Sequence, residues 1–262
     1  MDNLILTISG NTQEKDNILK NIKMIDNLKN DNYRYFVYTN YDFEDGYKKL
    51  DFTYFNECFY NIRNVIKSFD WLLLLDGDDN FTGNKINIID NILKNTDKSY
   101  IHNYAYYDNI KYDYNGINNN NSCITVKANK INFDLFLHTK SLSDYLLWLP
   151  FYDNEILELK EKLTYIHNKE MNYREYHNYM FNRYKLRLMD LSLLIKELEN
   201  EPAINQHSKF MLNKLKKEYA KYSYILNENK KYLPDLFTLL NHKKGADYFI
   251  SREYILRYGN GN

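Results

Sequence analysis

The stretch 71-WLLLLDGDDNFTGN-84 runs from five apolar residues straight into three carboxylates grouped about a glycine, with no polar transition. Three acids in four residues repel one another, and their juxtaposition costs free energy unless a positive charge is held among them. Trp71–Leu75 is apolar on both faces, the pattern of a strand buried in the centre of a parallel sheet. Asp76, Asp78 and Asp79 therefore stand at the carboxyl end of that strand. In open α/β sheets this is the edge where ligands bind. An ordinary Asp-rich turn after a strand is the plainer alternative.

Outward from this strand the pattern reads β-α-β-α-β. Residues 4–8 (LILTI) form a buried-strand run closed by SGN, and from Thr12 the spacing turns helical through Ile18, Ile22, Ile25 and Leu28. Tyr33–Tyr38 is aromatic and β-branched, hence a second strand, and it ends in the polar turn TNYDFEDG. Phe55–Phe69 is spaced as a helix through Phe59, Ile62, Ile66 and Phe69. Beyond the acids, Ile86–Leu93 predicts a helix, and Ser99–Tyr106 and Cys123–Lys127 predict two more strands around an Asn-rich loop. Ile156, Leu159 and Leu163 then fall at helical spacing before LTYIHN. From Tyr179 the chain is helical in pattern, interrupted near Pro202 and Pro234. The expected organisation is an α/β domain over residues 1–178, Rossmann-like with a mostly parallel sheet and flanking helices, and a helical region over 179–262.

The whole composition narrows the partners. Lys plus Arg and Asp plus Glu are both 35, so there is no basic surplus of the kind a general polyanion binder needs. Cys58 and Cys123 give neither a disulfide framework nor a metal-binding spacing and fit a reducing compartment. The amino-terminal apolar run is too short for a signal peptide, and Leu72–Leu75 and Tyr145–Phe151 are too short to span a bilayer. A soluble, cytoplasmic protein is expected. The abundance of Tyr, Asn, Lys and Ile points to AT-rich codons, and the Asn118–Asn121 run reads as a polar loop of the same origin.

A carboxylate cluster at a strand end suits a hard divalent cation, Mg²⁺ or Mn²⁺, which takes oxygen ligands and leaves room for substrate phosphates. Gly77 is expected to let the backbone turn sharply enough for the acids to converge. No His or Cys lies close enough in sequence for a zinc site. No P-loop or G-x-G-x-x-G follows the first strand, so the cation itself would have to hold a nucleotide.

The segment NIRNVIKSFDWLLLLDGDDNF resembles the central signature of family 2 glycosyltransferases of the GT-A fold. In that signature an Arg-Asn pair on a helix precedes an apolar strand ending in a D-x-D motif. Arg63 and Asn64 supply the pair here, and Asp76-Gly77-Asp78 the motif. Further on, LTYIHNKEMNYREYHNYM is similar to the family's late segment through Tyr173, Arg174 and His177. The likeness spans roughly residues 3 to 180. It departs after the first strand, where Thr7-Ile8-Ser9-Gly10-Asn11 stands for the usual Pro-x-Tyr-Asn. It departs again after the second strand, where Asn40 stands where Asp is common.

The resemblance implies a metal-dependent enzyme moving a sugar from a nucleoside-diphosphate donor, a UDP-sugar, to a hydroxyl acceptor with inversion. Asp78 would bind the cation, Asp76 the cation or the ribose, and His177 the metal or a phosphate. Thr7, Ser9, Asn11, Asn40 and Asp42 would hold the nucleoside, and Arg63 a phosphate. Each has a plain structural reading beside this one: turn chemistry for the small polar residues, a surface ion pair for Arg63. The acceptor, whether glycan, protein, lipid-linked sugar or modified nucleobase, is not legible. The base is expected in LPFYDNEILELKEKL at the start of a late helix, with Asp153 first, then Glu155, then Asp144. A helix N-cap is the plain reading of Asp153. The Leu188, Leu191, Leu194, Leu198 stripe reads as packing. The helical region would form the acceptor side or a homo-oligomer contact. Two other classes compete: a metal-dependent nucleotidyltransferase or phosphohydrolase on the same acids, and a non-enzymatic interaction protein.

Overall fold

The computed structural model describes residues 2–43, 47–107, 120–167, 173–201 and 205–232. They fall into two compact units, one up to residue 167 and the other from 173 onward. The strands of the first unit are β1 (Asn3–Ser9), β2 (Tyr33–Thr39), β3 (Lys48–Lys49), β4 (Trp71–Leu74), β5 (Asn80–Phe81), β6 (Tyr100–Tyr107), β7 (Ile124–Lys127) and β8 (Ile156–Ile166). They form one sheet in the order β3-β2-β1-β4-β7-β6-β8-β5. Its helices are α1 (Lys15–Asn27), α2 (Phe55–Asn61), α3 (Arg63–Ile66), α4 (Lys85–Leu93), α5 (Asp134–Leu137) and α6 (Ser143–Trp148).

β1 is buried along its whole length because it lies between β2 and β4, parallel to both, with Leu6 level with Phe36 and Leu74. β4 is the expected apolar central strand, although its other neighbour, β7, runs antiparallel to it. One face of the sheet packs on α1 and α4, where Ile5, Leu73, Ile101 and Leu163 meet Ile25, Ile86, Ile89 and Leu93. Burying each such side chain contributes about 1.5–3 kcal/mol. A carboxylate pair about 4 Å apart repels by about 4 kcal/mol at an effective dielectric of 20. A few of these apolar side chains therefore suffice to hold acids together at the strand end. α2 and α5 form an aromatic layer in which Phe59 lies 5.4 Å from Phe133 and 4.7 Å from Phe136.

Three expectations are corrected. Residues 156–166 are a strand and not a helix. Leu157, Leu159, Leu163 and Tyr165 do alternate with polar residues, but register shifts against β6 between Asn103 and Ala105 break the period. Such a bulge puts unpaired residues into one strand and disguises its alternation. The helix expected over Phe55–Phe69 is split at Ile62 into α2 and α3. The two-residue strands β3 and β5, too short to show any period, were not expected.

The second unit is a pair of long helices, α7 (Tyr173–Glu199) and α8 (Gln206–Tyr232). Leu191, Leu194 and Leu198 of the expected stripe are buried, as are Met211 and Leu215, while Leu188 is half-buried. Tyr184 lies 5.3 Å from Tyr222, whose hydroxyl accepts from Arg187 at 2.8 Å. The breaks expected at Pro202 and Pro234 lie outside the described residues. No helix among the described residues is long and apolar enough to cross a membrane.

Candidate active site at the carboxyl edge of the sheet

Asp76 directly follows β4 and is tied to the turn that precedes β7. Its N–H donates to the Ser122 hydroxyl at 2.8 Å, and its Oδ1 accepts from the Asn121 amide at 3.2 Å. Asn120 organises that turn by accepting the Ser122 N–H on its side chain at 2.7 Å. Because β7 runs antiparallel to β4, its beginning lies at the edge where β4 ends, which brings these residues to the acids. Asn121 also donates to Ser143 Oγ at 3.2 Å, holding the first turn of α6, and with it Asp144, at the same edge. Leu142, just before, has φ 67 with its side chain buried. A bulky residue in the left-handed region is strained and is held there by its surroundings.

Asp79 is 1% exposed. Its Oδ1 accepts the His167 N–H at 3.1 Å, and its Oδ2 is buried with no hydrogen-bond partner among the described residues. Its carbonyl accepts from Asn17 and Asn21 of α1, at 3.0 and 2.9 Å. β5 follows at once and pairs with β8, Asn80 level with Tyr165, so the acid turn is anchored at both ends. On the β1 side, Glu14 Oε2 accepts from the Ser9 hydroxyl at 2.6 Å and its Oε1 from the Asn11 amide at 3.1 Å. A Cβ at Gly77 would run into the Glu14 carboxylate. The expected turn forms, the Asp79 N–H donating to the Asp76 carbonyl at 3.1 Å across Gly77, and the glycine also leaves the space that Glu14 occupies.

The electrostatics follow from this crowding. Burial first, and then the charge of Asp78, push Asp76 up to about 7 against the pull of Asn121, and Glu14 and Asp144 add to the rise. Burial, then Asp76 and Asp78, hold Asp79 well above the usual carboxylate range. Beneath the turn Lys85, the first residue of α4, is fully buried. Its Nζ donates to the Ser122 carbonyl at 2.6 Å and to Thr164 Oγ1 at 3.0 Å, and lies 3.9 Å from the centre of the Phe81 ring. Burial pulls it down to about 7, opposed by Cys123 and Asp79.

The fold of the chain has counterparts among solved structures. The chain is similar to residues 1–349 of S. aureus TarS in complex with UDP-GlcNAc, with a TM-score of 0.57 at 10% identity over 92% of this chain and 80% of that one. It is also similar to the mannosyltransferase PcManGT from Pyrobaculum calidifontis in complex with GDP-Man and Mn²⁺, with a TM-score of 0.54 at 8% identity over 96% and 78%. The chain has the GT-A fold. No protein-family model matches the sequence, and no curated protein matches it.

On this GT-A scaffold the expected residues separate. Ser9, Asn11, Asp76 and Asp78 belong to the edge where β1 and β4 end. Asn40 is there too, its amide 3.3 Å from where a Gly10 Cβ would stand and donating to the Phe52 carbonyl at 3.1 Å. Thr7 is not available to a nucleoside: it is fully buried, donating to the Leu75 carbonyl at 2.6 Å and paired with the Tyr35 hydroxyl at 2.9 Å. Asp42 is exposed in an ion pair with Lys49 at 2.8 Å. The Arg63 guanidinium stacks 4.1 Å over the Tyr60 ring and donates to the Tyr60 carbonyl at 2.9 Å.

Asp153 is corrected by topology. It begins a 3-10 turn that leads into β8, and Ile156 of β8 lies level with Tyr100, Val126 and Leu72. From that level the sheet runs four more residues to Asp76, roughly 13 Å at about 3.3 Å per residue. Asp153 and Glu155 thus stand at the opposite edge from the acids, and the N-cap of the short turn there is Tyr152, whose N–H donates to the Glu155 carboxylate at 3.0 Å. The side chains of Tyr173, Arg174 and His177 lie outside the described residues. Among the described residues His167 is the histidine brought to the acids, its N–H on Asp79 and its Nε2 2.6 Å from the Asn80 amide. Glu14, Lys85, Asn121 and Ser122 complete the site beyond the sequence expectations, and Asp144, third in the expected order for the base, stands with them.

Among the described residues no three His, Cys, Asp or Glu side chains are grouped to hold a metal ion by themselves. A Mg²⁺ or Mn²⁺ ion that takes one or two carboxylates and completes its shell with substrate phosphates needs no such group. Asp76 and Asp78 offer that donor set, and carboxylates crowded until one keeps its proton to about 7 fit a site built around a cation.

Proposed function

We propose that the chain is a cation-dependent glycosyltransferase, moving a sugar from a UDP-sugar to an acceptor hydroxyl with inversion. The observation that carries this reading is the crowded acid turn at the carboxyl end of the central strand of a GT-A fold. The S. aureus neighbour was solved with UDP-GlcNAc and the Pyrobaculum one with GDP-Man and Mn²⁺, which supports a nucleotide-sugar donor.

Asp76 and Asp78 would hold the ion, and Asn11 and Asn40, just beyond β1 and β2, are the polar groups on the nucleoside side, while Ser9 is buried against Glu14. A bound divalent ion neutralises the charge that grows on the departing diphosphate. The acceptor oxygen forms its bond to the anomeric carbon as the bond from that carbon to the diphosphate breaks. The acceptor proton then needs a carboxylate that is not spent on the cation. Asp144, third in the sequence ordering, takes that role: it is held at the acid edge through Ser143 and Asn121 and is near enough to raise Asp76.

The test is turnover of a panel of UDP-sugars with and without Mn²⁺. Release of UDP, dependent on the ion, is the expected result. Pyrophosphate or a nucleoside monophosphate would instead make the chain a nucleotidyltransferase or phosphohydrolase on the same acids.

A further inference from the structure

A lysine with no solvent exposure is uncommon unless its charge is compensated. Lys85 is fully buried, yet no carboxylate among the described residues is within ion-pair distance of it. It also begins a helix, where the macrodipole disfavours positive charge. What it has is a complete set of three acceptors. The Ser122 carbonyl lies at 2.6 Å, Thr164 Oγ1 at 3.0 Å and the Phe81 ring centre at 3.9 Å. Thr164 in turn donates to the same Ser122 carbonyl at 2.9 Å and accepts from Asn103 at 3.1 Å. An ammonium has three donors and no acceptor, so this cage is built for one. The ring at the third position would repel the lone pair of a neutral amine.

The chain of contacts leads to the acids through one residue. Ser122 has its carbonyl clamped by Lys85 and Thr164, while its hydroxyl accepts the N–H of Asp76 at 2.8 Å. Asn121, its neighbour in the turn, holds the Asp76 carboxylate itself. Fixing the Ser122 carbonyl therefore fixes both the backbone and the side chain of Asp76. Asp79 lies close enough for its charge to be felt at Lys85.

We propose that Lys85 is a positioning residue of the cation site: its buried ammonium clamps the 120–122 turn and so sets the pose in which Asp76 receives the divalent ion. This rests on the metal-site reading given above. Through space alone, a positive charge under a cation site weakens metal binding, so removing it should tighten Mn²⁺. Positioning predicts the opposite sign.

The experiment is calorimetric titration of Mn²⁺, in the presence of UDP, into the wild-type chain, Lys85→Met and Thr164→Val, with urea midpoints measured alongside. Met keeps the length of the side chain and removes a desolvated charge, which is costly to bury, while the Ser122 carbonyl still accepts from Thr164. The expected result is an unchanged or raised urea midpoint with Mn²⁺ affinity lowered about tenfold or more, the loss usual for outer-shell partners of metal ligands. Thr164→Val, which keeps the charge and removes half of the clamp, should weaken Mn²⁺ in the same direction, and it decides the matter if Lys85→Met does not fold. Unchanged or tighter binding in the folded variants overturns the role of Lys85 while leaving the metal site standing. A wild-type chain that takes up no Mn²⁺ overturns the metal reading, and this inference with it.

Discussion

Asp76 and Asp78 flank a single glycine, yet they sit in different surroundings, and substitution should separate them. Asp78→Asn removes a repelling charge and no packing, so the fold should persist while Mn²⁺-dependent UDP binding is lost; calorimetry showing unchanged affinity would refute the assignment. Asp76 carries a prediction in pH. Its carboxyl titrates at about 7 in the folded chain against an ordinary 3.8. Between those values the folded chain keeps a proton that the unfolded chain has lost. Its contribution to stability therefore falls as pH rises from about 4 to about 7 and is level above that. Without added metal, Asp76→Asn should show a smaller loss of thermal midpoint than wild type between about pH 4 and pH 7. An identical loss would show that Asp76 is not the group responsible. Asp144→Asn should bind donor normally and transfer sugar about 10²–10⁴-fold more slowly, the usual cost of a lost general base. Asp153→Asn, at the other edge, should transfer at the wild-type rate.

The acid turn as an element owes its shape to what leans on it. Glu14 occupies the space beside Gly77, so Gly77→Ala should push that carboxylate off Ser9 and Asn11, at about 1–3 kcal/mol for an overpacked site. Glu14→Ala should restore part of that loss in the double variant, and strict additivity of the two urea midpoints would show that the contact does not matter. Much of this element was legible in the sequence, because the apolar strand, the acids and their place at the carboxyl edge follow from local pattern. The base was not. Ile156, Leu159 and Leu163 mimic a helix only because a bulge breaks the alternation of β8, and moving that segment from helix to strand carries Asp153 to the wrong edge. The asparagines read as codon bias hid a second signal, since Asn120 and Asn121 build the turn that holds Asp76; Asn118 and Asn119 lie outside the described residues. Lys85 could not be found from local pattern, because its two hydrogen-bond acceptors come from residues 37 and 79 positions away.

For the whole molecule, a ligand that binds only the native state must raise its apparent stability. UDP with Mn²⁺ at 100 times its dissociation constant adds about 2.7 kcal/mol. For a chain of this size that is a rise of roughly 5 °C or more in the thermal midpoint, abolished by EDTA. No shift with any nucleoside diphosphate would favour a non-enzymatic role. The helical pair α7 and α8 is proposed to serve the acceptor side or contact a second copy. A structure with UDP bound should accordingly place the base contacts within the first unit, and contacts mostly beyond residue 190 would refute this. The acid turn is held from α1, the 120–122 turn and the end of β8, segments spread from residue 17 to residue 167. Contacts so distant in sequence close late, since loop entropy is lost before they form. In time, then, the proposed cation site should be among the last parts of the chain to form. During refolding, Mn²⁺ uptake should lag behind the recovery of helical signal, and nucleotide binding should appear only once the sheet is complete.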